Sequence, residues 1–317
     1  MKIVVLDGYA LNPGDLSWDK IASQGELTVY DRTSADEVLG RVGDAEALFT
    51  NKTPVTEETI ARAPKLRFIG VLATGYNIVD TEAAARHGVV VSNVPDYATD
   101  SVAQLTIALL LEMCHHAGEH SRAALAGEWA ECADYCFWKY PLIELAGKTL
   151  GIIGLGRIGR AVARIALALG MRVLAYDPRQ DAALETEALR YAPLDELWAI
   201  SDVISLHCSL TPGNTGMINA AAISRMKPGA MLINTARGPL IAEHDLADAL
   251  RRGHIAYAAV DVLSKEPPSA ANPLLHAPNI IVTPHIAWAP KAARERLMHI
   301  SAENLAAWMA GRPQNRV

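Results

Sequence analysis

The sequence contains no uninterrupted apolar run of about 18 residues, which is the length a helix needs to cross a bilayer. Its first residues enter a strand-like run without the basic segment and apolar stretch of a secretory leader. Positive charge is also in short supply, since the net charge is −6, and both nucleic acids and anionic membranes require basic patches. We therefore expect a cytoplasmic protein with neither a nucleic-acid nor a membrane partner.

Cysteine is scarce too, and its spacing matches neither paired CxxC zinc motifs nor a dense disulfide framework. The four cysteines are Cys114, Cys132, Cys136 and Cys208. His115, His116 and His120 lie close together, but no HExxH pattern and no third ligand at zinc spacing accompanies them. We expect free thiols, a solvated helix end at the histidines, and no metal site.

The stretch LGIIGLGRIGR, Leu150 to Arg160, has the pattern of a strand, a tight turn and a helix. Its glycines suit a dinucleotide site: Gly154 permits the turn, Gly156 lets the backbone approach a pyrophosphate, and Gly159 lets the helix pack on the strand. The pyrophosphate would lie at the helix N-terminus, where free N–H groups favour an anion. The stretch predicts a bound dinucleotide.

A second apolar run, Arg172 to Tyr176, ends at Asp177, at the distance downstream where an acidic residue meets the adenosine ribose. A carboxylate there accepts a hydrogen bond from a ribose 2′-hydroxyl and repels a 2′-phosphate. The sequence therefore predicts NAD, with NADH preferred over NADPH, although Arg179 two positions on weakens that preference.

Strands and helices alternate along the whole chain, which predicts an α/β protein with two Rossmann-like domains. Residues 99–287 are expected to form a doubly wound parallel-sheet NAD domain. It would be inserted into a smaller flavodoxin-like substrate domain of residues 1–98 and 288–317, because a final amphipathic helix, Lys291 to Met309, is expected to pack back on the first domain.

Two loops of the first domain follow predicted strands, Thr50 to Thr53 and Ala73 to Asn77. Ligands of open parallel sheets bind beyond the carboxyl ends of the strands. These loops are the predicted substrate contacts.

The segment from Glu128 to Gly147 is dense in aromatic residues and has little helical or strand period. Irregular stretches of this length inside domains tend to be functional, and exposed aromatic clusters mark partner surfaces. We expect an arm that reaches a second subunit; the alternative is packing of these side chains against their own domain.

Three reactive side chains follow predicted strands of the second half: Arg237, Glu266 and His285. Arg237 offers a planar fork of donors for a carboxylate and an adjacent carbonyl oxygen. His285 suits general acid–base work near neutral pH, and Glu266 would favour its imidazolium form and fix its orientation. Such a group protonates a carbonyl oxygen while hydride arrives at carbon. Each residue alone could instead be structural.

Several motifs together resemble the D-isomer-specific 2-hydroxyacid dehydrogenases: GLGRIG, LHCSLT at 206–211, NTARG at 234–238, the Glu-Pro of KEPP, and TPHIA at 283–287. VLATGYNIVD and NVPDYATDSVAQ extend the likeness into the first half. The resemblance implies a substrate domain made of both termini and a homodimer formed through the NAD domains.

The resemblance also implies roles for individual residues. Arg237 would bind the substrate carboxylate and carbonyl, with His285 as acid/base and Glu266 as its partner. The implied cofactor contacts are Gly154, Gly156, Arg157, Ile158, Gly159, Asp177, His207, Ser209, Thr215, Thr235, Ala236 and Asp261. The implied substrate contacts are Lys52, Ala73, Thr74, Gly75 and Trp288, with backbone groups of Thr74 and Gly75 holding the carboxylate.

Within this family, the Gly75-Tyr76-Asn77 loop, Trp288 and the aromatic segment resemble the glycerate dehydrogenase and hydroxypyruvate reductase branch. Asn77 and Ser209 depart from the aspartate and proline that many members carry. The expected activity is NAD(H)-dependent reduction of a small 2-oxo acid such as hydroxypyruvate or glyoxylate. Alternatives are an NAD-sensing corepressor-like binding protein, or an enzyme for 2-ketogluconate, phenylpyruvate, formate or phosphonate.

Overall fold

The computed structural model describes all 317 residues and divides into two units. The terminal unit comprises Met1–Ala98 and Ala289–Val317, and the central unit comprises Thr99–Trp288. The second domain boundary predicted from the sequence, after residue 287, lies one residue before the end of the central unit at Trp288. No helix is long and apolar enough to span a membrane.

The terminal unit is built on a five-stranded parallel sheet. Its strands are β1 (Lys2–Val5), β2 (Glu26–Val29), β3 (Ala47–Thr50), β4 (Phe68–Val71) and β5 (Val90–Ser92), in the order β2-β1-β3-β4-β5. The first four helices are α1 (Asp19–Ala22), α2 (Val38–Val42), α3 (Glu57–Ala61) and α4 (Thr81–Arg86). This strand order is that of flavodoxin-like sheets, and the continuously buried β3 and β4 are typical of parallel strands covered on both faces.

The C-terminal helix of the chain, Lys291–Met309, packs on β4 and α1 of the terminal unit. Arg294 on this helix is nine-tenths buried and donates to both carboxylate oxygens of Asp15 at 2.8 and 2.7 Å. The pKa of Asp15 is held below its ordinary value chiefly by this hydrogen bond. The unit is therefore completed by residues from both ends of the chain.

The central unit contains a seven-stranded parallel sheet. Its strands are β6 (Thr149–Ile153), β7 (Arg172–Tyr176), β8 (Leu189–Tyr191), β9 (Val203–Leu206), β10 (Ala230–Asn234), β11 (Ile255–Val260) and β12 (Ile280–Val282), in the order β12-β11-β10-β9-β6-β7-β8. Its helices are α5 (Thr99–His115), α6 (Ala117–Leu125), α7 (Arg157–Ala168), α8 (Leu194–Ile200), α9 (Ala220–Ile223) and α10 (Glu243–Arg251), so the helix Lys291–Met309 is α11. The predicted fold class is confirmed.

The strand order of the central sheet reverses between β6 and β9, which is the topological switch point of a doubly wound sheet. Ligands of such sheets bind outside the carboxyl ends of the strands at this point. The apolar run Arg172 to Tyr176 coincides with β7, whereas β8 was not predicted from the sequence.

Candidate active site

The glycine loop connects β6 to α7 at the switch point. Gly154 has φ +97°, and a Cβ there would lie 2.6 Å from the backbone nitrogen of Cys208. A Cβ on Gly159 would lie 2.1 Å from the Gly154 oxygen, so only glycine lets α7 approach the loop this closely. A Cβ on Gly156 would meet nothing within 4 Å. Gly156 therefore faces open space, as a backbone that receives a pyrophosphate requires.

Asp177 lies beyond the end of β7 and holds this loop. Its Oδ2 accepts the Leu155 N–H at 2.9 Å, and its Oδ1 accepts the Arg179 N–H at 2.9 Å. The carboxylate is thus fixed beside the first turn of α7, whose N-cap Gly156 supplies no side chain to occupy the free helix N–H groups. The donor set fits a dinucleotide whose phosphates lie at the helix start and whose ribose meets Asp177.

His207 follows β9 on the other side of the switch point. Its Nε2 lies 2.8 Å from Ser205 Oγ, while its Nδ1 is buried and has no hydrogen-bond partner. Burial lowers the pKa of His207 to about 3, so the ring is neutral at neutral pH. A buried polar atom without a partner costs free energy, and a polar ligand atom at this strand end would remove that cost.

The other predicted cofactor residues lie at the same sheet edge or on α7. Thr235 is buried after β10, and its hydroxyl lies 2.9 Å from that of Thr106 on α5. Asn214 donates to the Ser209 carbonyl at 2.8 Å and so fixes the loop that also holds Thr215. The remaining residues are Arg157 and Ile158 in the first turn of α7 and Ala236 after β10.

His285 and Glu266 form a close pair, with 2.6 Å between Nδ1 and Glu266 Oε2. Glu266 Oε1 accepts the Leu263 N–H at 3.0 Å. Since an ionised carboxylate only accepts hydrogen bonds, Nδ1 carries a proton and donates it to Glu266. Nε2 is then the ring nitrogen left for proton exchange with a ligand. About a third of each side chain is exposed, so a small molecule has access to the pair.

Asp261, directly after β11, shapes the segment that carries His285. This buried carboxylate accepts from the Thr283 hydroxyl at 2.5 Å and from the N–H groups of Ile286 and Ala287, both at 2.9 Å. The carbonyl of Asp261 accepts the His285 N–H at 2.8 Å. These bonds hold His285 at φ +55°, a left-handed conformation that costs a non-glycine residue roughly 1–3 kcal/mol.

Arg237 follows β10, and its Nη1 donates to the Ala236 carbonyl at 2.7 Å. The side chain is exposed and is directed by this bond to its own loop. Its backbone nevertheless adjoins the segment that carries Glu266, because a Cβ on Gly238 would lie 1.9 Å from the Leu263 carbonyl carbon. The structure therefore brings two of the three predicted catalytic side chains into contact and places the third on the neighbouring strand end.

The predicted substrate residues, apart from Trp288, belong to the terminal unit. Asp7, after β1, accepts the N–H groups of Asn51, Lys52 and Thr53 at 2.7, 2.6 and 2.8 Å. This carboxylate fixes the loop bearing Lys52. The sequence reasoning missed Asp7, although a polar residue directly after a buried strand was a usable signal.

A second set of bonds fixes the 73–75 loop. Asn93 donates to the Thr74 carbonyl at 2.7 Å, and the Thr74 hydroxyl donates to the Val94 carbonyl at 2.9 Å. The Val94 N–H donates in turn to the Ala73 carbonyl at 3.0 Å. The loop is therefore held on both sides of its predicted carboxylate-binding backbone.

The predicted solvated helix end at the histidines differs from the structure. His116 is half-buried between the rings of Tyr140 and Tyr257, with centroids 4.4 and 5.0 Å away. His120 accepts the Lys139 N–H on Nε2 at 3.0 Å, which leaves its Nδ1 to donate to the His116 carbonyl at 2.9 Å. The His116 and His120 rings therefore pack against Tyr140 of the aromatic segment and are partly shielded from solvent.

A Rossmann sheet with a glycine loop at its switch point, and polar side chains gathered beyond neighbouring strand ends, is typical of a dinucleotide-binding oxidoreductase. Comparison with known proteins narrows this class. Residues 107–287 match the family model of the D-isomer specific 2-hydroxyacid dehydrogenase, NAD binding domain.

Two curated relatives align along the whole chain. A hydroxypyruvate reductase from Blautia hydrogenotrophica is 55% identical over 320 residues, covering 100% of this chain and 99% of the relative. A glycerate dehydrogenase from Methylorubrum extorquens is 38% identical, covering 100% and 98%. The crystal structure of the TT0316 protein from Thermus thermophilus superimposes with a TM-score of 0.86 at 36% identity, covering 100% of both chains.

The chain therefore belongs to the D-isomer-specific 2-hydroxyacid dehydrogenase family, carries the NAD-binding domain of that family and is an enzyme. The resemblance to its glycerate dehydrogenase and hydroxypyruvate reductase branch is confirmed. Because these relatives are named as enzymes, the corepressor-like alternative loses support.

Proposed function

We propose that this protein reduces a small 2-oxo acid of the hydroxypyruvate or glyoxylate class, using NADH. The observation that carries the proposal is the 2.6 Å contact between His285 Nδ1 and Glu266 Oε2 beyond the ends of β12 and β11. The names of the two curated relatives support the substrate class.

The bound nicotinamide supplies the hydride, and the protein supplies the proton and the positioning. His285 donates a proton from Nε2 to the substrate carbonyl oxygen while Glu266 stabilises the imidazolium through Nδ1. Arg237 binds the substrate carboxylate and the carbonyl oxygen through its planar fork of donors. Lys52 and the backbone of residues 73–75 are further proposed contacts of the substrate carboxylate. In the oxidation direction His285 takes the proton back.

Replacement of His285 tests the assignment. His285→Ala should lower kcat by ~100-fold or more, as expected for loss of a general acid, while NADH binding measured by fluorescence titration survives. A variant with unchanged turnover would remove His285 from the mechanism.

The NADH preference rests on Asp177, whose carboxylate is fixed next to the glycine loop. A ribose 2′-hydroxyl can donate to it, whereas a 2′-phosphate is repelled. We expect kcat/KM to be higher with NADH than with NADPH, and the opposite order would contradict this role of Asp177.

The substrate itself is identified by an NADH-oxidation screen over hydroxypyruvate, glyoxylate, pyruvate, phenylpyruvate and 2-ketogluconate. An oxidation assay with formate and phosphonate covers the remaining alternatives. The highest kcat/KM is expected with hydroxypyruvate or glyoxylate. A clear preference for another acid would reject the proposed class while leaving the chemistry of the pair intact.

We also propose that two copies associate through the aromatic segment, residues 128–147. Several apolar side chains there are exposed, among them Trp129 (55%), Tyr135 (90%) and Trp138 (65%). With α5 and α6 the segment lines an apolar cavity of about 380 Å³. Exposed apolar surface of this kind is typical of a subunit interface. The resemblance to the glycerate dehydrogenase branch further implies that Trp138 approaches the partner's active site.

Sedimentation equilibrium tests this assembly with a matched pair of variants. Leu142→Glu places a charge on the proposed interface, whereas Ile200→Glu places it on a comparably exposed apolar residue of α8 outside the segment. The first variant should shift the protein towards monomer and the second should not. Equal behaviour of the two variants would argue against an interface at this surface. Trp138→Ala should in addition lower turnover.

A further inference from the structure

The loop between β11 and β12 carries Glu266, yet it is exposed from Ser264 to Ala271. An exposed loop does not by itself hold a carboxylate at 2.6 Å from an imidazole, because a positioned catalytic group needs supporting contacts. Something outside the loop must therefore fix it.

Glu243, the first residue of α10, makes two such contacts. Its Oε1 accepts the Ser264 N–H at 2.8 Å, and its Oε2 accepts from Asn272 Nδ2 at 2.8 Å. One carboxylate thus ties both ends of the exposed stretch to the rigid start of a helix. Hydrogen bonds to an ionised acceptor are stronger than neutral ones.

The loop is also held at its beginning by close backbone packing. Gly238 approaches Leu263 and Ser264 so closely that a Cβ would lie 1.9 Å from Leu263 and 2.4 Å from the Ser264 nitrogen. Leu263 N–H in turn donates to Glu266 Oε1 at 3.0 Å. A displacement of Ser264 is therefore transmitted directly to Glu266.

We propose that Glu243 is a positioning residue that sets the geometry of the His285–Glu266 pair through the 263–272 loop. This inference rests on the proposed function of that pair. Glu243 has no part in binding the cofactor or the substrate; it acts by keeping Glu266 against the ring.

Asp245 provides a matched control on the same helix turn. Like Glu243 it is half-buried and its carboxylate accepts a backbone N–H, that of Ala220 at 2.8 Å, but the segment it holds bears no predicted catalytic residue. Glu243→Ala removes two hydrogen bonds to the loop that carries Glu266, whereas Asp245→Ala removes one hydrogen bond to a different segment.

The experiment measures kcat and NADH affinity for the two variants. Glu243→Ala should lower kcat by about tenfold, less than the loss of the general acid itself. NADH affinity should stay within about twofold, since the glycine loop is untouched. Asp245→Ala should leave both kcat and NADH affinity unchanged. An unchanged kcat in Glu243→Ala, or equal effects of both variants, would overturn the inference.

A second pair of variants decides the question even if Glu243→Ala does not fold. Asn272→Asp sets a carboxylate against Glu243 yet keeps the oxygen that accepts the Leu274 N–H. Adding Glu243→Gln restores the hydrogen bond between positions 243 and 272 in the opposite direction, with residue 243 as the donor and residue 272 as the acceptor. The double variant should recover most of the kcat that Asn272→Asp loses, and no recovery counts against the proposal. Retained turnover in His285→Ala would instead refute the proposed function, so the two failures are distinguishable.

Discussion

The carboxylate of Asp7 orders a whole loop of the terminal unit. It accepts three successive backbone N–H groups, from Asn51 to Thr53. An asparagine at this position would turn its NH₂ group towards at least one of these backbone N–H donors and would leave both without an acceptor.

We expect Asp7→Asn to raise KM for the oxo acid, because the Lys52 loop loses its anchor, and to lower the free energy of unfolding by ~1–3 kcal/mol. Steady-state kinetics and urea unfolding measure the two effects. Asp80→Asn is the control: Asp80 caps α4 in the same unit by accepting the Ala83 N–H, and asparagine caps helices as well as aspartate. Equal KM values for the two variants would contradict the role of Asp7.

His207 makes a prediction about pH. Its pKa is lowered by burial to about 3, whereas an unfolded histidine titrates near ~6.5. Between these values the unfolded state binds more protons, so the stabilisation is present above pH ~6.5 and is lost as pH falls, by up to ~1.4 kcal/mol per pH unit. Unfolding free energies at several pH values should show a steeper acid loss in the wild type than in His207→Gln. Parallel curves would mean that this ring does not govern the acid response.

The segment after β10 closely approaches the segment after β11 because Gly238 has no side chain. Gly238→Ala places a Cβ within 2.0 Å of Leu263 backbone atoms, which cannot move aside as a flexible side chain would. We expect a loss of stability of ~1–3 kcal/mol from overpacking together with a fall in kcat, because the shifted segment carries Glu266. Gly40→Ala, whose added Cβ meets nothing within 4 Å, is the control in thermal melts and assays. A fully active Gly238→Ala variant would show that the two segments can move apart without loss of activity.

The sequence predicted those elements whose signals are local. The glycine loop, Asp177 and the polar residues after β10, β11 and β12 each follow a short apolar run that predicts a strand. β8 was missed because it has only three residues, of which one is buried, so no period is visible.

The contacts that anchor the loops of the site could not be predicted from the sequence. Glu243 and Asn272 are separated by 29 positions, and Asp7 and Lys52 by 45. Such pairs form only after folding has brought distant strand ends together. An acidic residue near a helix start commonly serves a different purpose, which is to interact favourably with the helix dipole. No pattern in a single sequence distinguishes the two uses.

Cofactor binding should be visible as stabilisation of the folded protein against unfolding. A ligand that binds only the folded state, at about 100 times its Kd, contributes ~2.7 kcal/mol, so NADH should raise Tm in differential scanning fluorimetry. Gly156→Val is the matched variant: its side chain enters open space and leaves the fold intact, yet occupies the approach to the helix start. Its Tm without ligand should equal that of the wild type, and its response to NADH should be small. An undiminished response would place the dinucleotide elsewhere.

The discontinuity of the terminal unit has a consequence for synthesis on the ribosome. β5 is bonded by the last residues of the chain, with Ser92 Oγ donating to the Gln314 carbonyl at 2.8 Å, and the nine-tenths-buried Arg294 holds Asp15. Residues 1–98 therefore wait, with part of their apolar surface uncovered, until residues 289–317 have emerged. The central unit is contiguous in sequence and can fold during that wait. Domains usually mature from the N-terminus onwards, whereas here the unit whose synthesis begins first is completed last.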